Sequence, residues 1–151
     1  MGSGTADLES GIFDNSNYLD PVLKDIESAK KHVLISSPYL QKKKIEKVKD
    51  VLLKTYSSGI RVTLCTNEIV AFPDKQMNYI KAIIEEISGK GIDVIQIKNN
   101  RYRFMIIDSR IVWYGGIDIL GRCLNEQSLI RIYNEALANE LTGIIYEHIS
   151  Q

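Results

Sequence analysis

Apolar residues recur along this chain at two spacings, which predict helices and strands. In four stretches they lie three and four residues apart, the spacing that places them on one face of a helix. Their apolar positions are Val22, Leu23, Ile26 and Ala29; Ile45, Val48, Leu52 and Tyr56; Met77, Ile80, Ile83, Ile84 and Ile87; and Leu137, Leu141, Ile144 and Ile145. The pattern therefore predicts four amphipathic helices.

Capping residues and helix breakers predict the ends of these helices. Asp20 followed by Pro21 predicts the start of the first helix, because a capping side chain and a proline both suit the first turn. Gly59 ends the second helix, and Pro73-Asp74 opens the third. Asn134 is positioned to cap the last helix.

Short runs rich in β-branched residues predict six strands, at 32–37, 60–65, 92–97, 103–107, 111–114 and 127–132. The fourth and fifth form a hairpin that turns at Asp108-Ser109-Arg110. Helix and strand alternate twice, a cluster of strands follows, and a helix closes the chain. This order predicts a layered α/β domain, with a mixed β-sheet flanked by helices on both faces.

Length and charge narrow the function classes. A chain of 151 residues suits a single domain, which we place at 10–151, after a leader at 1–9 that is disordered or derived from expression. Nineteen basic and nineteen acidic residues cancel, so any nucleic acid must be bound by a local patch. No apolar run is long enough to span a bilayer.

The two cysteines, Cys65 and Cys123, have neither disulfide-framework nor metal-site spacing. We interpret them as reduced packing residues of a cytoplasmic protein. The sequence predicts no metal site and no cofactor.

The segment from Arg101 to Ile132 carries the strongest motif. It reads Arg101-Tyr-Arg103-Phe-Met-Ile-Ile-Asp108, then six residues, then Gly115-Gly116-Ile-Asp118, with Glu126 further on. The arrangement resembles the motif of the phospholipase D superfamily, His-x-Lys-x-x-x-x-Asp and, six residues later, Gly-Ser-x-Asn. The spacing agrees at every element, and the resemblance covers nearly the whole chain after the leader. The flanking residues resemble single-motif bacterial members, some of which are nucleases or modules attached to helicases.

The resemblance implies a phospholipase D-like fold and a known chemistry. In that family the histidine attacks phosphorus, while the lysine and asparagine hold the phosphoryl oxygens. A second histidine, from a second copy of the motif, protonates the leaving group. Chains with a single copy complete the site by pairing two subunits, so this chain is expected to form a homodimer.

The residue types depart from the family at four positions. Arg101 replaces the histidine, Arg103 the lysine, Gly116 the serine and Asp118 the asparagine, whereas Asp108, Gly115 and Glu126 agree with it. Arginine stays protonated, with a pKa above about 12, so it can act neither as a nucleophile nor as a general acid. The two histidines, His32 and His148, belong to no catalytic arrangement and are interpreted as boundary residues. The sequence therefore predicts no confident catalytic residue.

Arg101 and Arg103 remain suited to binding phosphate. On a strand, residues two apart leave the same face, and guanidinium groups form forked contacts with phosphate oxygens. The alternative is a structural network in which the two arginines pair with Asp118, Asp108 or Glu126.

A second basic stretch, Lys42-Lys43-Lys44 with Lys47 and Lys49, could contact a nucleic-acid backbone. The alternative is the solvated face of a helix. Trp113 and Tyr114 are interpreted as core residues of a strand, with stacking on a base as the alternative. Tyr102 is interpreted as packed or interfacial, on the face opposite the two arginines.

Three hypotheses follow for function. The leading one is a catalytically degenerate phospholipase D-like domain that acts as a dimerisation and nucleic-acid-binding module, within a larger helicase- or restriction-like protein. The second is an active phosphodiesterase or endonuclease. The third is a protein-interaction scaffold whose pocket is only structural.

Overall fold

The computed structural model describes residues 10–123 and 126–149, so the predicted leader at 1–9 lies outside the described residues. The elements are β1 (Gly11–Asp14), α1 (Leu19–Ser28), β2 (His32–Ser36), α2 (Lys42–Ser57), β3 (Arg61–Asn67), α3 (Asp74–Gly89), β4 (Asp93–Ile97), β5 (Phe104–Ile107), β6 (Ile111–Gly115), β7 (Ser128–Tyr133) and α4 (Glu135–Ile149). A short 3₁₀ turn, Ile69–Ala71, leads from β3 towards α3.

The strands form one mixed sheet in the order β1-β7-β6-β5-β2-β3-β4. Strands β2, β3 and β4 run parallel, and every other neighbouring pair is antiparallel. Because β5 runs opposite to β2, it begins at the edge of the sheet where β2, β3 and β4 end. Strand β6 ends at this edge and β7 begins there. We call it the upper edge, and the opposite edge, where β2 begins and β5 ends, the lower edge.

Helices cover both faces of the sheet, which confirms the predicted layered α/β architecture. Helices α1, α2 and α3 pack on one face and bury a large apolar cluster with Ile35 and Trp113. Helix α4 packs on the other face, over a smaller cluster that includes Leu34 and Ile106. Neighbouring residues of β2 thus enter different cores, as the alternation of side chains along a strand requires.

Most predicted element ends are confirmed. Pro73 directly precedes α3, and the side-chain oxygen of Asn134 accepts a hydrogen bond from the backbone N–H of Leu137 at 2.9 Å. Gly59 follows the C-cap of α2 with φ of 96°, in the left-handed region that glycine adopts readily. The start of α1 was predicted wrongly: the helix begins at Leu19. Asp20 lies inside its first turn, where a carboxylate is favoured by the helix dipole.

Strand β1 is an element that the apolar pattern did not predict. It has four residues, and only alternate ones are partly buried, so its sequence signal is weak. Its pairing partner β7 supplies the hydrogen bonds that hold it as an edge strand.

Of the two aromatic residues predicted to be core, only Trp113 is buried. Tyr114 is 47% exposed, because it leaves β6 on the face that carries α4, at a point that α4 does not cover. Tyr102 packs against the cluster under α4, as predicted.

A buried ion pair fastens α1 to the sheet, and the sequence pattern did not reveal it. The guanidinium of Arg131 donates to the Asp25 carboxylate from Nε at 2.7 Å and from a terminal nitrogen at 2.9 Å. The indole N–H of Trp113 donates to the same carboxylate at 2.7 Å. Arg131 and Asp25 are 0% and 1% exposed, so these bonds satisfy charges that water cannot reach.

Candidate functional site

A cavity of about 910 Å³ opens at the upper edge of the sheet. Its walls come from the segment after β2, the beginnings of α2 and α3, the 3₁₀ turn, and the loops before β5 and after β6. Its lining includes four cationic side chains, Lys42, Lys75, Arg103 and Arg122. It also includes the aromatic side chains of Tyr39, Phe72 and Tyr79, and the carboxyl group of Asp118. The cavity therefore joins a positive surface to an aromatic one.

The two motif arginines are not equivalent in the folded chain. Arg103 lines the cavity, whereas Arg101 is exposed and is not among the lining residues. Both lie outside the observed strand, because β5 begins only at Phe104. The prediction that both leave one strand face is therefore wrong, and Arg103 alone is placed to contact a ligand in the cavity.

Hydrogen bonds from side chains hold the segment before β5 in place of strand pairing. The amide of Asn67 donates to the carbonyl oxygens of Pro38 at 3.0 Å and of Asn100 at 3.1 Å. The Asn100 backbone N–H returns a bond to Asn67 Oδ1 at 2.6 Å, and Asn100 Oδ1 accepts from the Tyr102 N–H at 3.0 Å. The Ser36 hydroxyl donates to the Tyr102 carbonyl at 2.7 Å. This buried network fixes the backbone on which Arg103 stands.

These asparagines were not predicted as site residues, although one signal could have found them. Asn67 ends β3, and Asn100 follows β4 after a short loop. Polar residues at the carboxyl ends of parallel strands gather at one edge of the sheet, where ligands bind in α/β proteins. The cavity residues Lys75, Tyr79 and Arg122 gave no comparable signal, since they lie on a helix face and in a loop.

Asp118 lines the cavity, although it is only 7% exposed. Its Oδ2 accepts a hydrogen bond from the backbone N–H of Tyr39 at 3.0 Å, and its Oδ1 makes a short contact with the Ser37 hydroxyl. The Ser37 oxygen lies 2.9 Å from the Tyr39 carbonyl and accepts from the Leu120 N–H at 3.1 Å. The Ser37 proton thus has two acceptors, so the network accommodates Asp118 in either protonation state.

The surroundings of Asp118 favour its neutral form more than water does. Burial has the largest influence and raises the pKa of Asp118 to about 6. Hydrogen bonds from Ser37 and Tyr39 and the positive charges of Arg103 and Lys44 act in the opposite direction but do not cancel it. Asp118 therefore changes charge close to neutral pH.

Glycines near Asp118 are required by close packing. A Cβ atom at Gly115 would collide with the backbone carbonyl of Ser128, and one at Gly121 would collide with the Asp118 carboxyl group. Gly115, Gly116 and Gly121 do not have positive φ angles, so close packing rather than backbone conformation requires glycine at 115 and 121. At Gly116 the nearest atom to an added Cβ would be Cδ of Gln127 at 3.4 Å, an ordinary contact distance.

Asp108 and Glu126 do not share the cavity with Arg103. Asp108 follows β5 at the lower edge, where its carboxylate accepts hydrogen bonds from the backbone N–H groups of Lys30, Lys31 and His32 at 2.7–3.2 Å. Partial burial opposes the charged form, but these bonds outweigh it and hold the pKa of Asp108 below its ordinary value. Glu126 is exposed and is not a lining residue. Asp108 thus fastens a turn and takes no part in the cavity.

The pairing of the motif arginines with carboxylates is absent from residues 10–123 and 126–149. The ion pairs found there are Lys49–Glu86, Lys90–Glu86, Arg61–Asp93 and Arg131–Asp25. Asp118 is bonded to Ser37 and Tyr39 instead, and the lower-edge position of Asp108 puts it beyond reach. The cavity is accordingly not filled by a salt-bridge network.

The three consecutive lysines at the start of α2 lie in three different environments. Lys42 lines the cavity, and its ammonium nitrogen lies 5.0 Å from the ring centre of Tyr79. Lys43 is exposed outside the lining. Lys44 donates to the Gly121 carbonyl at 2.6 Å and contacts the Cys123 sulfur at 3.1 Å, so it ties the loop after β6 to α2. Helical geometry points successive residues about 100° apart, so the three lysines cannot share one surface.

Neither histidine takes the place of the missing nucleophile. His32 begins β2 at the lower edge, where its Nε2 lies 2.9 Å from the Thr63 hydroxyl; burial, then the charge of Arg61, lowers its pKa. His148 packs edge-on against the Tyr102 ring, with ring centres 5.3 Å apart, and is not a lining residue. Both are partly buried boundary residues, as predicted.

Metal-binding clusters and membrane-spanning helices are both absent from the described residues. No group of three or more histidine, cysteine, aspartate or glutamate side chains there could hold a metal ion. No described helix combines the length and the apolar character that a membrane crossing requires. Cys65, which is buried, and Cys123, which is partly buried, are both free thiols.

The fold is similar to several solved structures. Nuc from Salmonella typhimurium, a phospholipase D family member, superimposes with a TM-score of 0.72 over 95% of this chain and 96% of that chain, at 16% identity. NucT from Helicobacter pylori gives a TM-score of 0.68 over 94% of this chain and 96% of that chain, at 15% identity. TrmBL2, described as an archaeal chromatin protein with a novel mode of DNA binding, gives 0.69 over 99% of this chain and 55% of that chain, at 12% identity.

The sequence itself assigns the family. No curated protein sequence matches the chain significantly. Residues 22–149 nevertheless match the family described as cardiolipin synthase, PLD-like domain. That range includes every motif position from Arg101 to Glu126, together with the segments that build the cavity. The chain therefore belongs to the phospholipase D-like family.

Proposed function

We propose that this domain binds phosphate groups of nucleic acid in the upper-edge cavity and lacks the histidine-based hydrolysis of its family. The proposal rests on the environment of Arg103. This arginine lines an open cavity and has no ion-pair partner among the described residues. A guanidinium without a partner carboxylate is a ready donor to a phosphate oxygen.

The charge balance of the lining supports an anionic ligand. The lining has four cationic side chains and a single carboxyl group, that of Asp118. The chain as a whole has no net charge, so an anion is attracted by this local excess of positive charge and not by the molecule as a whole. Aromatic side chains in the same wall provide surfaces on which bases stack.

The residue types oppose catalysis of the family's kind. That chemistry requires a nucleophilic histidine, and the two histidines of this chain lie outside the cavity lining. Arg101 and Arg103 hold positive charge but have no available lone pair at neutral pH. Binding without turnover is the function that this set of residues supports best.

The assembly that we propose is a homodimer, in keeping with single-motif members of the family. Three exposed apolar side chains support it: Ile12, Ile130 and Tyr114, at 72%, 44% and 47% exposed. They are cross-strand neighbours on β1, β7 and β6, and so form one exposed apolar row. The setting that we propose is a larger cytoplasmic helicase- or restriction-like protein.

Binding can be measured by fluorescence anisotropy with labelled single-stranded and duplex DNA at several salt concentrations. We expect binding that weakens as salt rises, because released counterions supply most of its free energy. Arg103→Ala should weaken it by about tenfold and lower the salt slope by about one. The matched control is Arg110→Ala, which removes an exposed arginine at the lower edge. Absence of binding at low salt, or equal effects of the two variants, would contradict the proposal.

A chromogenic phosphodiester and the same DNA substrates test the absence of hydrolysis. We expect no turnover above background, with or without divalent cations. Turnover that co-purifies with the wild-type protein and is lost in Arg103→Ala would instead establish an active phosphodiesterase.

A further inference from the structure

The lining of the cavity holds one carboxyl group, and its position suggests a selective role. Asp118 shares the lining with Arg103, and the two are close enough for the arginine charge to influence the carboxyl group. It is nearly buried and held by the Tyr39 N–H and the Ser37 hydroxyl, so it cannot swing away from an incoming anion. A ligand held by Arg103 therefore meets a fixed negative charge beside it.

We propose that Asp118 is a charge filter, which penalises doubly charged phosphate ends more than it penalises phosphodiesters. This inference rests on the proposed function, since it concerns the same cavity. A phosphodiester carries one negative charge, whereas a terminal phosphate carries up to two at neutral pH. Coulomb repulsion from a fixed carboxylate is twice as large for a dianion as for a monoanion at the same place. The carboxylate would then offset part of the stronger attraction that the four cationic side chains exert on a dianion, and so shift binding towards internal phosphates of a nucleic-acid chain.

The surrounding structure makes the filter effective. Water screens Asp118 poorly because only 7% of the residue is exposed, and charges in such places interact more strongly than charges at the surface. Gly121 leaves the space that the carboxyl group occupies, since a Cβ there would collide with it. The carboxyl group thus has a fixed place, set by its own hydrogen bonds and by a neighbouring glycine.

Asp118→Asn tests the filter without dismantling its surroundings. The amide oxygen can accept from the Tyr39 N–H, and the amide nitrogen can donate to Ser37, whose hydroxyl then donates to the Tyr39 carbonyl. The matched control, Asp50→Asn, makes the same chemical change on an exposed position of α2.

The measurement is competition against a labelled oligothymidylate at about pH 7.5. One competitor is thymidine monophosphate, and the other is a thymidine dinucleotide that has a single phosphodiester. In Asp118→Asn the monophosphate should gain about tenfold more than the dinucleotide gains, whereas Asp50→Asn should leave both unchanged.

The outcomes separate this inference from the proposed function. If the oligothymidylate binds and Arg103 matters, but Asp118→Asn changes both competitors equally, the filter is overturned and phosphate binding stands. If the oligothymidylate does not bind at low salt, both are overturned.

A second measurement on the wild-type protein covers the case of a poorly folded variant. Sulfate keeps two charges, and dimethyl phosphate one, between about pH 5 and pH 8. Sulfate competition should fall more steeply than dimethyl phosphate competition as the pH rises and Asp118 ionises. Equal slopes would overturn the filter.

Discussion

The Asp118 carboxyl group makes the folded protein sensitive to pH. Its pKa is raised to about 6, above its ordinary value of 3.8, so the folded state holds this proton more tightly than the unfolded state does. Stability from this group is present below about pH 4 and is lost as the pH rises through about 6. Two groups near it do not titrate in that window. Burial raises the pKa of Tyr18. Burial lowers the pKa of Lys44, but its hydrogen bonds with Tyr18 and Cys123 outweigh this and raise it.

Asp118→Asn is expected to stabilise the protein at neutral pH. The amide keeps the hydrogen bonds but never carries the buried charge, so the variant should gain about 2 kcal/mol near pH 7.5 and little near pH 4. Chemical denaturation of both proteins across this range measures the difference. A constant difference at every pH would show that the charge is not the cause.

Two adjacent glycines should differ in how much stability their substitution costs. A Cβ at Gly115 would collide with the Ser128 backbone, so Gly115→Ala should cost about 2 kcal/mol or more of unfolding free energy. Gly116→Ser places its Cβ at an ordinary distance from Gln127, so its cost should stay below about 1 kcal/mol. Thermal denaturation of the two variants checks this, and equal losses would contradict the packing argument.

Among the elements, α1 depends on a charge buried beneath it. Asp25 accepts two bonds from Arg131 and one from Trp113, so these side chains join the helix to β7 and β6. Removal of one member leaves a buried charge without its partner, which is more costly than loss of a surface pair.

Asp25→Ala should therefore destabilise the protein by about 3–5 kcal/mol. Asp50→Ala, on the exposed face of α2, should change stability by less than about 0.5 kcal/mol. Urea unfolding of both variants provides the measurement. A small effect of Asp25→Ala would mean that water reaches Arg131 in the variant and solvates it.

The element that holds Arg103 is a loop, although its sequence resembles a strand. Apolar alternation continues into Tyr102 and suggests an early strand start, but β5 begins at Phe104. Asn100 and Ser36 bond the Tyr102 backbone, which removes it from the strand ladder. Ser36 lies 66 residues from Tyr102 along the chain, so no local pattern reveals that bond.

For the whole molecule, the exposed row of Ile12, Ile130 and Tyr114 predicts self-association. Burial of these side chains between two copies would be favourable, since apolar surface contributes roughly 25 cal/mol per Å² removed from water. Light scattering coupled to size exclusion should give a dimer mass, and Ile130→Lys should shift it towards a monomer. The control is Val70→Lys, which changes a residue that is 78% exposed on the 3₁₀ turn. A wild-type monomer at high concentration would contradict the paired assembly.

The sequence alone determined the order of elements, the layered α/β class and the family, because apolar spacing and motif spacing are local properties. It also determined that the histidine of the family motif is absent. Only the tertiary structure decided which motif residues meet. Arg103 and Asp118 share a cavity because β5 begins, and β6 ends, at the upper edge, whereas Asp108 is separated from them by the length of β5. Which side chains share a site depends on strand direction and on long-range hydrogen bonds, and residue spacing does not encode these.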